Sequence, residues 1–167
     1  MFNLAIRYRD GEGTEKDLEK AFHWYQKAAE KDHIEAMNNL AIFYENEEGT
    51  EKNLEKAFYW YQKAAENGDK YAMFRLANIY RNGKETEKDL EKTFHWYQKA
   101  AEKDHIESMY DLAICYENEE GTEKNLEKAF YWYQKAAENG YTNAMFNLPI
   151  CHENGEGTEK NLEKALQ

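Results

Sequence analysis

The chain has 167 residues and carries 33 acidic against 22 basic side chains, a net charge of −11. Valine is absent, and Leu, Ile and Phe together supply 26 of 167 residues, about 16%, a share that at this charge ordinarily signals disorder. The acidic excess is the wrong sign for a phosphate-binding surface, which excludes nucleic acid and anionic membrane as partners.

Against disorder stand 4 Trp, 13 Tyr and many alanines. They concentrate the apolar surface in large rings and small spacers, which bury a core when helices stack closely. No apolar run approaches the roughly 20 residues of a spanning helix. Met1-Phe2-Asn3-Leu4 lacks the basic start and apolar stretch of a signal peptide. With no Asn-x-Ser/Thr sequon present, the expectation is a soluble, cytoplasmic protein.

Trp24, Trp60, Trp96 and Trp132 step by 36 residues, as do Leu4, Leu40, Leu76, Leu112 and Leu148. The period divides the chain into a partial copy over 1–32, complete copies over 33–68, 69–104 and 105–140, and a partial copy over 141–167. Along the first complete copy, Ala36, Leu40, Ala41 and Tyr44 lie on one face of a helix, termed helix A, over 34–46. Glu48-Gly49-Thr50 forms a turn, and Gly83-Lys84-Glu85 is its most divergent counterpart. Asn53, with Asp17, Asp89, Asn125 and Asn161, is placed to cap the second helix, at a contribution of about 1 kcal/mol. That helix, B, spans 54–66, with Leu54, Ala57, Phe58, Trp60, Tyr61, Ala64 and Ala65 as an apolar stripe opposite Glu55, Lys56, Lys63 and Glu66. Asn67-Gly68 and Asn139-Gly140 end two B helices with residues suited to positive φ. Lys31-Asp32 and Lys103-Asp104 are less suited, so those turns are expected to differ in geometry.

The copies differ unevenly. Residues 14–68 and 86–140 align with five differences among 55 positions: Ala21/Thr93, Ala36/Ser108, Asn38/Tyr110, Asn39/Asp111 and Phe43/Cys115. Leu40, Ala41, Trp60, Tyr61, Ala64, Ala65 and their counterparts are constant apart from Pro149 and the truncated end, and form the expected core. Truncating Trp60 or Trp96 to Ala is expected to cost about 3–5 kcal/mol. Pro149, inside the last A helix, deletes one backbone hydrogen bond and meets the Met145 carbonyl at a cost of roughly 3 kcal/mol, which predicts a kinked or frayed helix.

Ala36-x-x-x-Leu40-Ala41-x-x-Tyr44 followed by Gly49-x-x-x-Asn53-x-x-Lys56-Ala57-x-x-Trp60-x-x-Lys63-Ala64-Ala65-x-x-Gly68 closely resembles the Sel-one-like repeat (SLR), a relative of the tetratricopeptide repeat. The resemblance covers the whole chain. It implies an all-α fold, a right-handed α-solenoid of stacked antiparallel helix pairs, and a role as an adaptor that holds protein complexes together in signalling or quality control. Where the family usually has Gly after the helix A leucine, this chain has Ala5, Ala41, Ala77 and Ala113.

Chemistry is sparse. The single serine, Ser108, occupies the core slot of Ala36, which leaves no serine triad. His23 and His95, like His33 and His105, recur at equivalent positions two repeats apart, and no His, Cys and carboxylate group has metal-ligand spacing. Cys115 and Cys151 share one repeat position in adjacent layers, too far apart for a disulfide, and are read as thiols in a reducing compartment. Neither a cofactor nor catalysis is expected.

The variable slots lie on helix A, which in a tetratricopeptide-type superhelix lines the concave groove. One reads Phe2, Asn38, Phe74, Tyr110, Phe146; the next Asn3, Asn39, Arg75, Asp111, Asn147; a third Ile6, Ile42, Asn78, Ile114, Ile150; a fourth Arg9, Glu45, Arg81, Glu117, Glu153. Asn38, Asn39, Phe74, Arg75, Asn78, Arg81, Tyr110, Asp111 and Phe146 are the candidate partner-binding residues, with Phe74, Tyr110 and Phe146 as an aromatic ladder. The expected function is a non-catalytic scaffold that binds a protein, as a peptide or helix, in that groove. The alternative is a regulatory segment of a larger signalling protein, such as an array attached to a protein kinase domain. The array breaks off in mid-repeat at both ends, and open apolar end layers predict self-association.

Overall fold

The computed structural model describes the backbone of residues 1–83 and 86–154 and the side chains of 1–83 and 86–148. Among the described residues the chain forms nine helices and no strand. They are α1 (Phe2–Asp10), α2 (Leu18–Ala29), α3 (Ile34–Asn46), α4 (Leu54–Glu66), α5 (Lys70–Asn82), α6 (Leu90–Ala101), α7 (Ile106–Asn118), α8 (Leu126–Glu138) and α9 (Thr142–Asn154). Odd numbers are A helices and even numbers B helices, so the expected alternation and the expected spans hold. Asn161 lies outside the described residues. The chain divides into two compact units, Met1–Leu76 and Ala77–Gln167.

In the first unit the core is built from alanines and a few large side chains. Ala5, Ala21, Ala36, Ala41 and Ala64 are fully buried, as are Leu40 and Tyr25. Side chains this small let helix axes approach closely, and the rings fill what remains. The second unit repeats the scheme with Ala100, Ala113, Ala136, Leu112 and Tyr97.

Of the two adjacent constant rings on helix B, the tyrosine is the buried one. Tyr25, Tyr61, Tyr97 and Tyr133 are each at most 1% exposed. Trp24, Trp60, Trp96 and Trp132 are only half-buried. They lie edge-on to the preceding ring, as in Tyr59–Trp60 at 5.1 Å and His95–Trp96 at 5.2 Å. The expected core role of tryptophan is therefore corrected, and the cost of truncating Trp60 falls below the figure for a fully buried ring. Consecutive helical positions are about 100° apart, and the stripe was broad enough to admit either.

The B helices are capped as their sequences imply. Asp17, Asn53, Asp89 and Asn125 each accept a hydrogen bond from the backbone N–H three residues on, at 2.9 Å. The A helices carry caps that the sequence reading missed. Asp69 accepts from the Ala72 N–H at 2.8 Å, and the imidazoles of His33 and His105 accept from the N–H groups of Ala36 and Ser108 at 3.4 and 3.3 Å. The serine also binds His105 Nδ1 through its hydroxyl, at 3.0 Å.

The turns after helix B correct a second expectation. Asp32 and Asp104 adopt φ of 61° and 57°, in the left-handed region also used by Gly68 and Gly140. The backbone bonds match as well: His33 N–H donates to Ala28 O just as Asp69 N–H donates to Ala64 O. Aspartate tolerates this conformation better than most side chains, which keeps the turn common to all copies. Glycine is needed inside the repeat, where Gly49 has φ of 62° and a Cβ would fall on the Leu18 carbonyl; Gly121 stands against Leu90 in the same way.

A further contact recurs in every described repeat. Lys20, Lys56, Lys92 and Lys128 hold their ammonium groups over the rings of Tyr8, Tyr44, Tyr80 and Tyr116, at 5.5, 5.2, 4.9 and 5.2 Å. Each such contact contributes about 0.5–1 kcal/mol at exposed sites, so these lysines join helix B to helix A besides charging the surface. Helix α9, which contains Pro149, spans Thr142–Asn154.

Candidate functional site

The variable slots of the A helices fall into three environments. Some close on partners within the chain. Arg81 Nη1 donates to Asp111 Oδ1 at 3.3 Å, and Nη2 approaches both oxygens of Glu120, at 3.2 and 3.0 Å, only the longer contact being aligned as a hydrogen bond. Asn78 Oδ1 accepts the Tyr97 hydroxyl at 2.9 Å. In the first unit Arg9 Nη1 donates to Asn39 Oδ1 at 3.3 Å, while Asn39 Nδ2 donates to the Glu35 carbonyl at 2.7 Å.

These contacts reveal an ordering that single slots conceal. The fourth-slot residue of one repeat meets the second-slot residue of the next, thirty positions on: Arg9 with Asn39 and Arg81 with Asp111. Glu45 and Arg75 have the same spacing with charges reversed, and both act on Tyr61: Glu45 accepts its hydroxyl at 2.5 Å, and the positive charge of Arg75 works against the resulting rise in the phenol pKa. Glu117 accepts the Tyr133 hydroxyl at 2.6 Å, and Asn147 also reaches that hydroxyl.

Burial sets the electrostatics. Asp111 is pushed up to about 6 by desolvation, with Arg81 opposing the rise. Burial pushes the Cys115 thiol up to about 12, which suppresses thiolate and nucleophilic character at neutral pH. Tyr61 and Tyr133 are raised by burial and by their carboxylate partners, so their hydroxyls keep the proton they donate. The Tyr25 hydroxyl is buried with no partner.

The second environment is ring packing. Tyr110 is half-buried, its ring 5.5 Å from that of Tyr133 and 5.1 Å from that of Tyr141. Phe74 is half-buried as well. The third environment is open: Phe146 is 69% exposed and Arg75 is exposed. The aromatics foreseen as one ladder thus differ in exposure, and only Phe146 presents most of its ring.

Asn38 stands apart. Its Oδ1 is buried without a partner, and it lines a cleft of about 530 Å³ shared with Phe2, Ile34, Asn39, Asp69 and Tyr71. The sequence carried the signal for this cleft in the Asn38/Tyr110 difference. What it lacked was the knowledge that a ring at this slot packs against two others.

Five consecutive segments, 1–33, 34–69, 70–105, 106–141 and 142–167, match the Sel1 repeat family. None of the curated proteins matches the chain. A Sel1 repeat protein from Oxalobacter formigenes is similar at 32% identity and a TM-score of 0.92, over 98% of this chain and 68% of that one. A protective antigen of uropathogenic Escherichia coli displaying an SLR fold shares 29% identity with a TM-score of 0.93, over 98% of this chain and 35% of that one. Cysteine-rich protein B of Helicobacter pylori shares 28% identity with a TM-score of 0.62, over 78% of this chain and 93% of its own.

Proposed function

This chain belongs to the Sel1 repeat family, and from that premise we propose that it is a scaffold that holds a peptide or helix of a partner protein against the face its A helices carry. Repeats of this family generally mediate protein–protein interaction and are generally non-catalytic. The observation that carries the finer reading is that the two most exposed large apolar side chains among the described residues, Phe146 at 69% and Tyr71 at 57%, belong to A helices, ahead of Tyr59 at 50% and Tyr131 at 48% on B helices. Exposed aromatics are the side chains that dominate interface energies once covered. The internal pairing of Arg81 with Asp111 shifts the weight of the candidate surface from charge to rings. A cytoplasmic location belongs to the same reading and rests on the sequence. Attachment to a kinase domain gains no observation in its favour.

The test is selection of a random peptide library on the immobilised protein, followed by affinity measurement on variants. Peptides that lose more than tenfold in affinity for Tyr71→Ala or for Phe146→Ala, with helicity unchanged by circular dichroism, support the reading. Peptides unaffected by both variants and weakened by Tyr59→Ala or Tyr131→Ala on the B helices would overturn it.

A further inference from the structure

Two of the A helices end in almost the same residues. Tyr8-Arg9-Asp10-Gly11 ends α1 and Tyr80-Arg81-Asn82-Gly83 ends α5, an acid standing in one where the other has its amide. The two arginines pair differently. Arg9 turns onto its neighbour, with Nε and Nη2 each 2.7 Å from an Asp10 carboxylate oxygen, and keeps one contact of 3.3 Å to Asn39. Arg81 instead reaches Asp111, Glu120 and the Tyr97 hydroxyl. The Tyr25 hydroxyl, counterpart of Tyr97, is left buried without a partner. The neutral Asn39 offers Arg9 less than Asp111 offers Arg81. Yet the first unit also holds Glu48, counterpart of Glu120, whose charge acts on Arg9, and Arg9 still takes Asp10.

Asn82 is also the amide placed to become that acid. In an Asn-Gly pair the missing Cβ of the second residue lets its backbone nitrogen approach the side-chain amide carbon closely. Three such pairs lie within the described residues, at Asn67-Gly68, Asn82-Gly83 and Asn139-Gly140. Two are tied back: Asn67 Nδ2 donates to the Lys63 carbonyl at 2.8 Å and Asn139 Nδ2 to the Lys135 carbonyl at 2.9 Å. Asn82 is exposed at the end of its helix, and its side chain has no hydrogen-bond partner among the described residues. Helix ends fray, which releases the Gly83 N–H from the Ile79 carbonyl that it meets at 3.0 Å.

We propose that Asn82 deamidates in the folded protein and that the carboxylate so formed draws Arg81 away from Asp111 and Glu120, as Asp10 holds Arg9. In the step, the Gly83 nitrogen gives up its proton to water or hydroxide and attacks Asn82 Cγ. A C–N bond forms there, the bond from Cγ to Nδ2 breaks, and ammonia departs to leave a cyclic imide. Water then adds to one imide carbonyl and the ring nitrogen leaves it. Opening at Cγ gives aspartate, and opening at the backbone carbonyl gives isoaspartate. The net exchange is one water taken up for one ammonia released. Either product puts a negative charge beside Arg81, whose ion pairs join α5 to α7 and to the turn that follows it. The modification does not depend on what the A helices bind.

The test is incubation of the full chain at mildly alkaline pH, with peptide mass mapping over time in native buffer and in urea. In native buffer Asn82 converts about fivefold faster than Asn67 or Asn139, the factor that one neutral hydrogen bond of ordinary strength represents; in urea the three rates converge. Equal native rates, or a spread that persists in urea, would overturn the choice of site. For the consequence, a crystal structure of Asn82→Asp should show the Arg81 guanidinium on the new carboxylate, and native-state hydrogen exchange should lose protection in α7 and keep it in α3. Arg81 still paired with Asp111 and Glu120 in that variant would overturn the second half of the proposal. Asn82→Gln, whose longer side chain closes an imide far more slowly, separates this lesion from others: on ageing it keeps its α7 protection while the parent loses it. An aged Asn82→Gln that loses as much as the parent would place the damage elsewhere and sink the idea.

Discussion

Four copies of one substitution, Tyr→Phe at positions 25, 61, 97 and 133, isolate what a single hydroxyl contributes. The rings are equally buried and stand at the same point of each repeat; only the oxygen's partner changes. Tyr61 and Tyr133 donate to carboxylates, Glu45 and Glu117. Hydrogen bonds to charged groups contribute about 1.5–3 kcal/mol, so these two variants lose about 2 kcal/mol. Tyr97 donates to the amide of Asn78 and its oxygen also accepts from the charged Arg81 guanidinium, so its variant loses about 2 kcal/mol as well. The Tyr25 hydroxyl is buried without a partner, and removing an unpaired polar group gains about 1 kcal/mol or more. Urea unfolding followed by circular dichroism gives the rank order. Because a solenoid is stabilised mainly across neighbouring repeats, native-state hydrogen exchange should show each change centred on its own repeat. Equal effects at all four positions would refute the reasoning, and a destabilised Tyr25→Phe would mean that its hydroxyl is paired after all.

Two further outcomes are expected. The Asp111 pKa is raised to about 6 in the folded chain from an ordinary 3.8, so the folded state holds the extra proton between those values. Stability then declines as pH rises from about 4 to 6, by at most about 3 kcal/mol; Asp111→Asn, the residue found at position 39, should flatten that slope in urea titrations at stepped pH. Glu47 and Glu119 end their helices at φ of 62° and 60°, in the slot held by Gly11 and Gly83. Left-handed backbone costs an L-residue roughly 1–2 kcal/mol, partly offset by the greater freedom of unfolded glycine, so each Glu→Gly change should stabilise by about 0.5–1 kcal/mol in thermal melts.

The helices were legible because their signals are local. Leu40 and Tyr44 repeat at helical spacing, Asn53 and Asp17 are strong caps, and the 36-residue step returns each of them several times. The A-helix caps were missed because histidine is not a common capping residue, and His33 and His105 were weighed as ligands. Trp60 is expected in the core beside Tyr61 because a broad stripe does not fix the angle at which a helix meets its core; only Tyr61 is fully buried. The candidate site was legible only as a set of variable slots. Arg81 and Asp111 varied for each other's sake, which no slot read alone reveals, whereas the exchange of Asn38 for Tyr110 marked a change in packing space.

The thirty-residue pairing also governs how such an array can change length over generations. Loss of the repeat at 33–68 would bring Arg9 to face Arg75, and loss of the repeat at 69–104 would bring Glu45 to face Asp111, like charges in both cases. Removing the two together instead leaves Arg9 facing Asp111, a pair of opposite sign. Loss of either of those two repeats alone is therefore less well tolerated than loss of both, and residues 14–68 and 86–140 are offset by 72 residues, the length of two repeats. In this chain the heritable module is the doublet, with charge as its reading frame.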